Sequence, residues 1–461
     1  MKIMVMGTGF VGLTHAAVCS EYGHIVYAYD IDSSKINGFS TGNPDKIEKY
    51  VNEPGLSDIV RDSNNRSLYF TTDFKTACDG VDAVFLCLPT PPNLDGSTDL
   101  SFYDKAVNDL AKELNHRKNK KRIVVINKST VPIGTARHLL RIFKKHNVDN
   151  IGVASNPEFL AEGNAVDQSR HPDRVVVGCD TEEDFKILRR IYSQFVDHVR
   201  IKYIESTPET AEAIKYMANT LLLNYISFWN GVGARIGEVF DNVLIGDLRI
   251  GVTSDNRIST WGSYVSNGAG GSCFGKDVRS LRYQMSQRGV DTTFLKAAYD
   301  VNEYQKKYLV DRAINELDFM FNNKRIAVLG LAFKKRTNDM RDASSIELIE
   351  TLLGKGVEEI RAFDPLANEE AAKCFNPHKN HLFSRINYFT SIEEAVSGTD
   401  ALFISSDCEE FRGISGVINR IVKPPYLIID GRRMIPDCDT LVEKGFSYVA
   451  VGSKSLKGKN K

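Results

Sequence analysis

The stretch GAGGSCFGKDV, Gly268–Val278, places one thiol, Cys273, after a glycine run and just ahead of a helical pattern over Phe274–Gln287. A cysteine at a helix N-terminus meets the positive end of the helix dipole. With Lys276 in the first turn, its thiolate form is favoured. That is the setting of a nucleophile. The other seven cysteines (Cys19, Cys78, Cys87, Cys179, Cys374, Cys408 and Cys438) lack it and read as structural. Gly270 and Gly271 suit a backbone that a ligand must approach closely. Asp277 lies four residues beyond Cys273 on the same helical face, either as a proton-handling group or as a solvated acid. Lys215 and Asn219 form a second i,i+4 pair, either a lysine and an amide that donate to an alkoxide or oxyanion or, as most such pairs are, a solvated face. In SNPEFLAEG, Pro157 fits the first turn of a helix, which would put Glu158 and Glu162 on one face. They are either general bases toward water or a charged surface. Ser129 and Thr130 in NKSTVP, and the run LPTPP at Leu88–Pro92, end strands where ligands bind in open α/β sheets. A thiol, oxyanion donors and carboxylates together suit oxidation at a carbonyl through a thiohemiacetal and thioester, given a hydride acceptor.

The elements that must hold these residues begin with an apolar strand at Lys2–Met6. It runs into Gly7-x-Gly9-x-x-Gly12, a small-residue helix and a second strand, Ile25–Tyr29, with Asp30 at its end. The glycines serve the turn, the pyrophosphate approach and helix–sheet packing, and the acid accepts from a ribose diol. This predicts NAD as cofactor, since Asp30 repels the extra phosphate of NADP. Further strands are expected at Ala83–Leu88, Ile123–Asn127, Ile151–Ala154, Arg174–Gly178 and Val199–Tyr203, in a mostly parallel sheet. Thr207 and Pro208 then open a helix with periodicity to Phe240, about 50 Å long at about 1.5 Å per residue. Its apolar stretch Leu221–Trp229 predicts a dimer interface, or a buried connector. At Lys324 the strand–loop–helix–strand pattern restarts and ends in Asp364, with strands expected at Ala401–Ser405 and Tyr426–Asp430. The fold class is therefore α/β: two Rossmann-like doubly wound domains joined by a long central helix and a helical middle domain. The expected boundaries are 1–205 for NAD binding, 206–320 for the helical dimerisation domain, and 321–461 for a second nucleotide fold with a short basic tail.

The 461 residues suffice for about three domains. Lys+Arg and Asp+Glu balance at 59 each, which leaves no basic field for nucleic acid. The basic clusters at 116–122 and in the tail KSLKGKNK read as a solvated helix end and a frayed terminus. No apolar run is long enough for a membrane span, and Lys2–Met6 as a strand leaves no room for a signal peptide. Scattered cysteines without C-x-x-C pairs argue against disulfides and a structural metal, and for a reducing, cytoplasmic setting.

These motifs resemble the UDP-glucose/GDP-mannose 6-dehydrogenase family, from Met1 to about Arg433. The matching pieces are G-x-G-x-x-G with Asp30, EPGL at Glu53–Leu56, Thr90–Pro91, KSTVP, NPEFLAEG, Lys215-x-x-x-Asn219, GGSCF-x-KD, GLAFK at Gly330–Lys334 and DGRR at Asp430–Arg433. The resemblance implies two successive NAD-dependent oxidations of a sugar C6 alcohol to a carboxylate, on a nucleotide sugar, by a homodimer or larger assembly. It gives Cys273 the covalent role and makes Lys215 and Asn219 the oxyanion donors. Asp277 and Thr130 handle protons and water, and Glu158 is the base for thioester hydrolysis. On the cofactor side it implies Gly7, Gly9, Phe10, Val11 and Gly12, then Asp30 and Lys35, then Thr90 and Thr130, with Glu162 and Lys276. The substrate side adds Phe159, Leu160 and Glu162 beside Glu158, then Gly270 beside Cys273. Phe333, Lys334, Arg257 and Arg432 complete it, Arg257 reaching from a neighbouring subunit. NPEFLAEG favours the UDP-glucose and GDP-mannose branches over the N-acetylhexosamine branch, and GGSCF with Arg257–Ile258 favours UDP-glucose. Departures from the family pattern fall at Ser259, Gly262, Ser263, Ala269, Gly231, Arg336 and SSDCEEF. The rival readings are a 6-phosphogluconate-type hydroxyacid dehydrogenase, which lacks a use for Cys273, and a catalytically silent sugar-nucleotide sensor.

Overall fold

A computed structural model describes residues 1–117 and 121–458. Parts of the basic cluster at 116–122 and of the basic tail, namely 118–120 and 459–461, lie outside the described residues. The chain divides into two compact units, one of residues 1–218 with 283–289, the other of 219–282 with 290–461.

The first unit is built on strands β1 (Lys2–Met6), β2 (Ile25–Tyr29), β3 (Leu68–Thr71), β4 (Ala83–Leu86), β5 (Ile123–Asn127), β6 (Ile151–Ser155), β7 (Arg174–Gly178) and β8 (Lys202–Ser206). Their order is β3-β2-β1-β4-β5-β6-β7-β8, parallel throughout except where β6 meets β7. The central strands are apolar on both faces because both are covered. Ile3, Val5, Val124 and Ile126 enter one buried cluster, and Met4, Met6, Val84 and Val125 enter the other. That is the period-two alternation of a sandwiched sheet. Helix α1 (Phe10–Glu21) follows the glycine loop. A Cβ on Gly12 would stand 1.9 Å from the Gly7 carbonyl oxygen, so helix and loop can touch only through glycine. Helix α2 (Thr135–Lys145) and the short α3 (Ala165–Arg170) follow β5 and β6. Three of these strands differ from expectation, β6 by running on to Ser155. β4 stops at Leu86, and β8 starts at Lys202 because the His198 ring nitrogen accepts the Arg200 and Ile201 N–H groups in a turn that leaves Val199 exposed.

Helix α4 (Pro208–Phe228) starts as expected, the Thr207 carbonyl and hydroxyl accepting from Ala211 N and Thr210 N. The unit boundary falls within it, after Ala218. The single helix expected to reach Phe240 is interrupted by a π turn, Trp229–Gly233, before α5 (Ala234–Val239). Gly233 lies under the Trp229 ring, where a Cβ would come within 2.6 Å. Helices α6 (Phe274–Ser286) and α7 (Thr293–Leu317) follow.

The second unit carries β9 (Arg325–Leu329), β10 (Glu359–Phe363), β11 (Ile386–Tyr388), β12 (Ala401–Ile404), β13 (Leu427–Asp430) and β14 (Ser447–Ala450), ordered β11-β10-β9-β12-β13-β14 and all parallel. This is the strand order of the first six strands of the other sheet. The likeness extends to the acid after the second strand. Asp30 accepts from Thr8 N at 2.8 Å, and Asp364 accepts from Leu331 N and Ala332 N at 2.7 and 3.1 Å.

Candidate active site

In the first unit the glycine loop fits a dinucleotide. Gly9 has open space where a Cβ would stand, while Gly7 (φ +96°) approaches the Cys87 carbonyl too closely for any side chain. Phe10 and Val11 are half-buried at the start of α1. Asp30 takes the Thr8 N–H and hydroxyl on one oxygen, both at 2.8 Å, and the Asp32 N–H on the other at 3.1 Å. Burial pushes its carboxyl up, but these hydrogen bonds and the Lys35 charge outweigh that and hold it below the usual range. Asp30 is therefore a fixed anion, suited to a ribose diol and hostile to a phosphate. The ends of β4 and β5 are laced by hydroxyls. Ser129 Oγ donates to Leu88 O at 2.7 Å, and Thr90 Oγ1 donates to Thr130 O at 3.0 Å. Thr130 lines a small cleft together with Asn127, Ser155, Pro157, Glu212 and Lys215.

The acids of NPEFLAEG are not on a helix. Residues 156–161 are irregular, and the first turn of α3 begins only at Ala165. Side chains capture the N–H groups that a helix would need: Leu160 N donates to Glu158, Ala161 N to Gln168 at 2.6 Å, and Gly163 N to Glu53 at 2.7 Å. Glu158 and Glu162 therefore separate, Glu158 buried and Glu162 half-buried. Glu158 Oε1 accepts from Lys215 Nζ at 3.0 Å, in a pair sealed from solvent. Burial raises the Glu158 carboxyl, yet the charge of Lys215, the Leu160 N–H and the charge of Lys128 prevail and keep it below the ordinary glutamate value. The Phe159 ring has two cations near it, the Arg174 guanidinium at 3.9 Å and Lys215 Nζ at 5.5 Å from the ring centre.

In the second unit Cys273 is exposed immediately before α6. The Asp277 N–H donates to Cys273 O at 2.9 Å, one turn back, and the Asp277 side chain is fully buried. Its Oδ2 takes Asn219 Nδ2 at 2.6 Å and its Oδ1 takes Lys276 Nζ at 2.6 Å. The surface-acid alternative for Asp277 thus fails, and Lys276, expected to favour the thiolate directly, is ion-paired with Asp277. The cysteine loop is fixed by α7. Asn302 grips both backbone groups of Ala269 at 2.8 and 2.9 Å, and Gln305 donates to Ser266 O at 2.7 Å. The glycines expected to admit a ligand also let the chain approach itself closely. A Cβ on Gly270 would stand 2.5 Å from Asp342 O, and one on Gly271 (φ +92°) would stand 3.0 Å from the Phe333 ring. Phe333, with Lys334 Nζ 5.3 Å from its ring centre, is thereby set against the cysteine loop. Gly431, next to Arg432, accepts Asn267 N at 2.9 Å, and Arg432 Nε donates to Ser405 O at 2.8 Å. Arg257 stands apart on the surface, paired with Asp255.

Three positioning residues were given no role by the sequence. Glu53 takes the N–H groups of Gly163 and Ala165. Glu212, one turn before Lys215, takes those of Gly134 and Ala136 at 2.6 and 2.9 Å. Asn302 is the third. Glu212 had a readable signal, its place on the Lys215 face of α4, and Glu53 had its place in EPGL.

The first unit thus offers a dinucleotide crevice and a buried Lys–Glu pair, and the second offers a helix-start thiol beside an Asn–Asp–Lys chain. No group of His, Cys, Asp and Glu suited to a metal occurs among the described residues, and no helix there is long and apolar enough to cross a membrane. Three family models match the chain: the NAD binding domain of the UDP-glucose/GDP-mannose dehydrogenase family over residues 1–196, its central domain over 209–304 and its UDP binding domain over 327–437. The UDP-glucose 6-dehydrogenase of Pseudomonas aeruginosa is 35% identical over 98% of this chain and 97% of its own. UDP-glucose 6-dehydrogenase TuaD of Bacillus subtilis is 33% identical over 99% of this chain and 94% of its own. The structure of a UDP-glucose dehydrogenase from Pyrobaculum islandicum superposes with a TM-score of 0.83 at 29% identity, covering 94% of each chain. On these matches, spanning nearly its whole length, the chain belongs to the UDP-glucose/GDP-mannose dehydrogenase family.

Proposed function

We propose that this protein is a UDP-glucose 6-dehydrogenase that oxidises the C6 alcohol of UDP-glucose twice, to the carboxylate. The observation that carries the reading is the exposed Cys273 at the start of α6, beside the Asn219–Asp277–Lys276 chain, whose amide and carboxylate are buried. The names of the similar proteins support the substrate. Bound NAD, held by the Gly7–Gly12 loop and Asp30, supplies the hydride acceptor in each oxidation. Lys215 and Asn219 donate to the C6 oxygen as it becomes an alkoxide and later an oxyanion. Asp277, already tied to both Asn219 and Lys276, relays the alcohol proton. The Cys273 thiolate adds to the C6 aldehyde, and the thiohemiacetal so formed can lose a second hydride to leave a thioester. Glu158, kept ionised by Lys215, takes a proton from the water that attacks the thioester, and Thr130 orients that water. Cys273 leaves as thiolate and the carboxylate is released. Glu162, Phe159, Leu160, Gly270, Phe333, Lys334 and Arg432 bind the sugar nucleotide, with Arg257 contributed by a neighbouring copy, which its exposure permits.

We assign three functional parts: NAD binding over 1–205, a helical dimerisation part over 206–320 and sugar-nucleotide binding over 321–461. The protein assembles as a homodimer or larger. Of the stretch Leu221–Trp229, Leu223, Ile226 and Trp229 are buried within the chain, whereas Leu221 and Phe228 are exposed. With Val232 and Val239 they continue an exposed apolar stripe along α4, the π turn and α5. Eight free cysteines suit a reducing cytoplasm. The test is a panel of nucleotide sugars with NAD, read as NADH formation. UDP-glucose should give the largest kcat/KM, and a larger value for GDP-mannose or a UDP-N-acetylhexosamine would refute the substrate assignment.

A further inference from the structure

Lys128 closes β5 in the motif KSTVP, and its side chain points into the first unit rather than out to ligand or solvent. Its Nζ donates to Asn156 Oδ1 at 2.9 Å and lies 3.5 Å from the Tyr192 hydroxyl. Tyr192 also donates to Asn156 Oδ1, and Asn156 Nδ2 donates to Val176 O at 2.7 Å. All these hydrogen-bond partners are neutral. A buried ammonium whose neighbours are an amide and a phenol is costly, and a well-packed apolar side chain would serve the fold as well or better.

The groups facing Lys128 from each element are few. His15 and Cys19 come from α1, Cys87 from the end of β4, Tyr192 from the segment after the helix at Glu182–Ile191, Lys215 from α4 and Glu158 from the loop after β6. Burial pushes the Cys19 and Cys87 thiols up to about 12, so both are neutral. Burial, with the charge of Lys128, pushes His15 well down, so it is neutral too. The one anion in this company is Glu158, two residues beyond the Asn156 that Lys128 grips.

We propose that Lys128 is a positioning residue for Glu158: through Asn156 it fixes the turn that carries the acid, and it sets a second buried positive charge, besides Lys215, against the carboxylate. This rests on the reading of Glu158 as the base for thioester hydrolysis. In that reading Lys128 keeps Glu158 ionised, and hydrolysis running, to lower pH than Lys215 alone would allow.

The test uses the full-length protein with UDP-glucose and NAD. Decay of the covalent adduct on Cys273 is followed against pH by intact-protein mass spectrometry in single-turnover runs. In Lys128→Met the acid limb of the decay rate should move up by about one pH unit. Below that limb the adduct should then decay roughly tenfold more slowly than in wild type, since each pH unit is a factor of ten in the ionised fraction. The thermal midpoint should be equal to wild type or higher, which a merely structural lysine would not give. Lys128→Arg, which keeps the charge, should return the limb toward wild type. If Lys128→Met folds poorly by circular dichroism, Lys128→Gln makes the same comparison. A Met or Gln variant with the wild-type limb overturns the proposal. Glu158→Gln separates it from the underlying reading, since it should slow decay at every pH and abolish the limb. If Glu158→Gln decays like wild type, Glu158 is not the base and the role given to Lys128 falls with it. If it is slow while Lys128→Met is unshifted, only the role of Lys128 is refuted.

Discussion

Replacing Glu53 by Ala should be among the most damaging single changes remote from the chemistry. Glu53 is buried, and its two oxygens accept from Gly163 N and Ala165 N, groups at the end of the NPEFLAEG loop and the first turn of α3. Removing the carboxylate orphans two N–H groups where water cannot easily replace it. At about 1.5 kcal/mol for each, within the usual range for an unsatisfied buried group, the loss is about 3 kcal/mol. For a unit of this size about 3 kcal/mol corresponds to a fall of roughly 6–12 °C in the midpoint of its unfolding transition. Glu53→Gln keeps one acceptor oxygen and turns an amide donor toward the other N–H, so it should fall between wild type and Ala. Because the same loop carries Glu158, kcat at 25 °C should also fall in both variants, while the affinity for NAD, held by the loop at Gly7–Gly12, should not. Scanning calorimetry of the three proteins with NAD titrations reads both effects. A Glu53→Ala midpoint within about 1 °C of wild type, where a surface substitution would leave it, would refute the clamp.

Two further outcomes follow from the geometry. Asp30→Asn should narrow the preference for NAD over NADP, since Asn can still accept from Thr8 but no longer repels a 2′-phosphate; equal use of both cofactors by wild type would show that Asp30 does not meet the ribose. Leu221→Asp combined with Phe228→Asp should convert the assembly to a monomer at micromolar concentration by light scattering, and wild type should scatter as at least twice the 51.5 kDa chain; a monomeric wild type would remove the role given to the exposed stripe.

Most of the two sheets was readable because the central strands are short apolar runs, several of them ended by a glycine loop or an acid, whereas the short edge strands β3, β11 and β14 carry too weak a local pattern and were not foreseen. Asp30 and Asp364 close their second strands where the pattern put them. The helical start at Thr207–Pro208 and the opening of α6 after Cys273 were legible for the same reason, since capping chemistry is local. The helix expected at Pro157–Glu162 was not there because its N–H groups are taken by Glu53 and Gln168, whose nearness no spacing reveals. The π turn at Trp229 depends on how that ring packs over Gly233, again a tertiary matter. Gly270 and Gly271 were rightly marked as places of close approach, but the approaching group is Phe333 and Asp342, sixty residues or more away in sequence. Lys215 and Asn219 were visible as an i,i+4 pair. Their partners Glu158 and Asp277 were named from motifs, and the pairing itself only the structure gives.

The central claim, that Cys273 carries the second oxidation, is tested most directly by counting NADH and products in single-turnover runs with UDP-glucose. Wild type should yield two NADH per sugar and the uronic acid. Cys273→Ala should yield no uronic acid, because the first oxidation needs no thiol but the aldehyde must be captured before a second hydride can leave. Cys273→Ser should stall or release product very slowly, since a serine hydroxyl is scarcely ionised near neutral pH. Cys78→Ala is the control: that thiol is buried and pushed up to about 12, so its loss should leave the stoichiometry unchanged. Uronic acid formed by Cys273→Ala at a rate near wild type would contradict the thioester route.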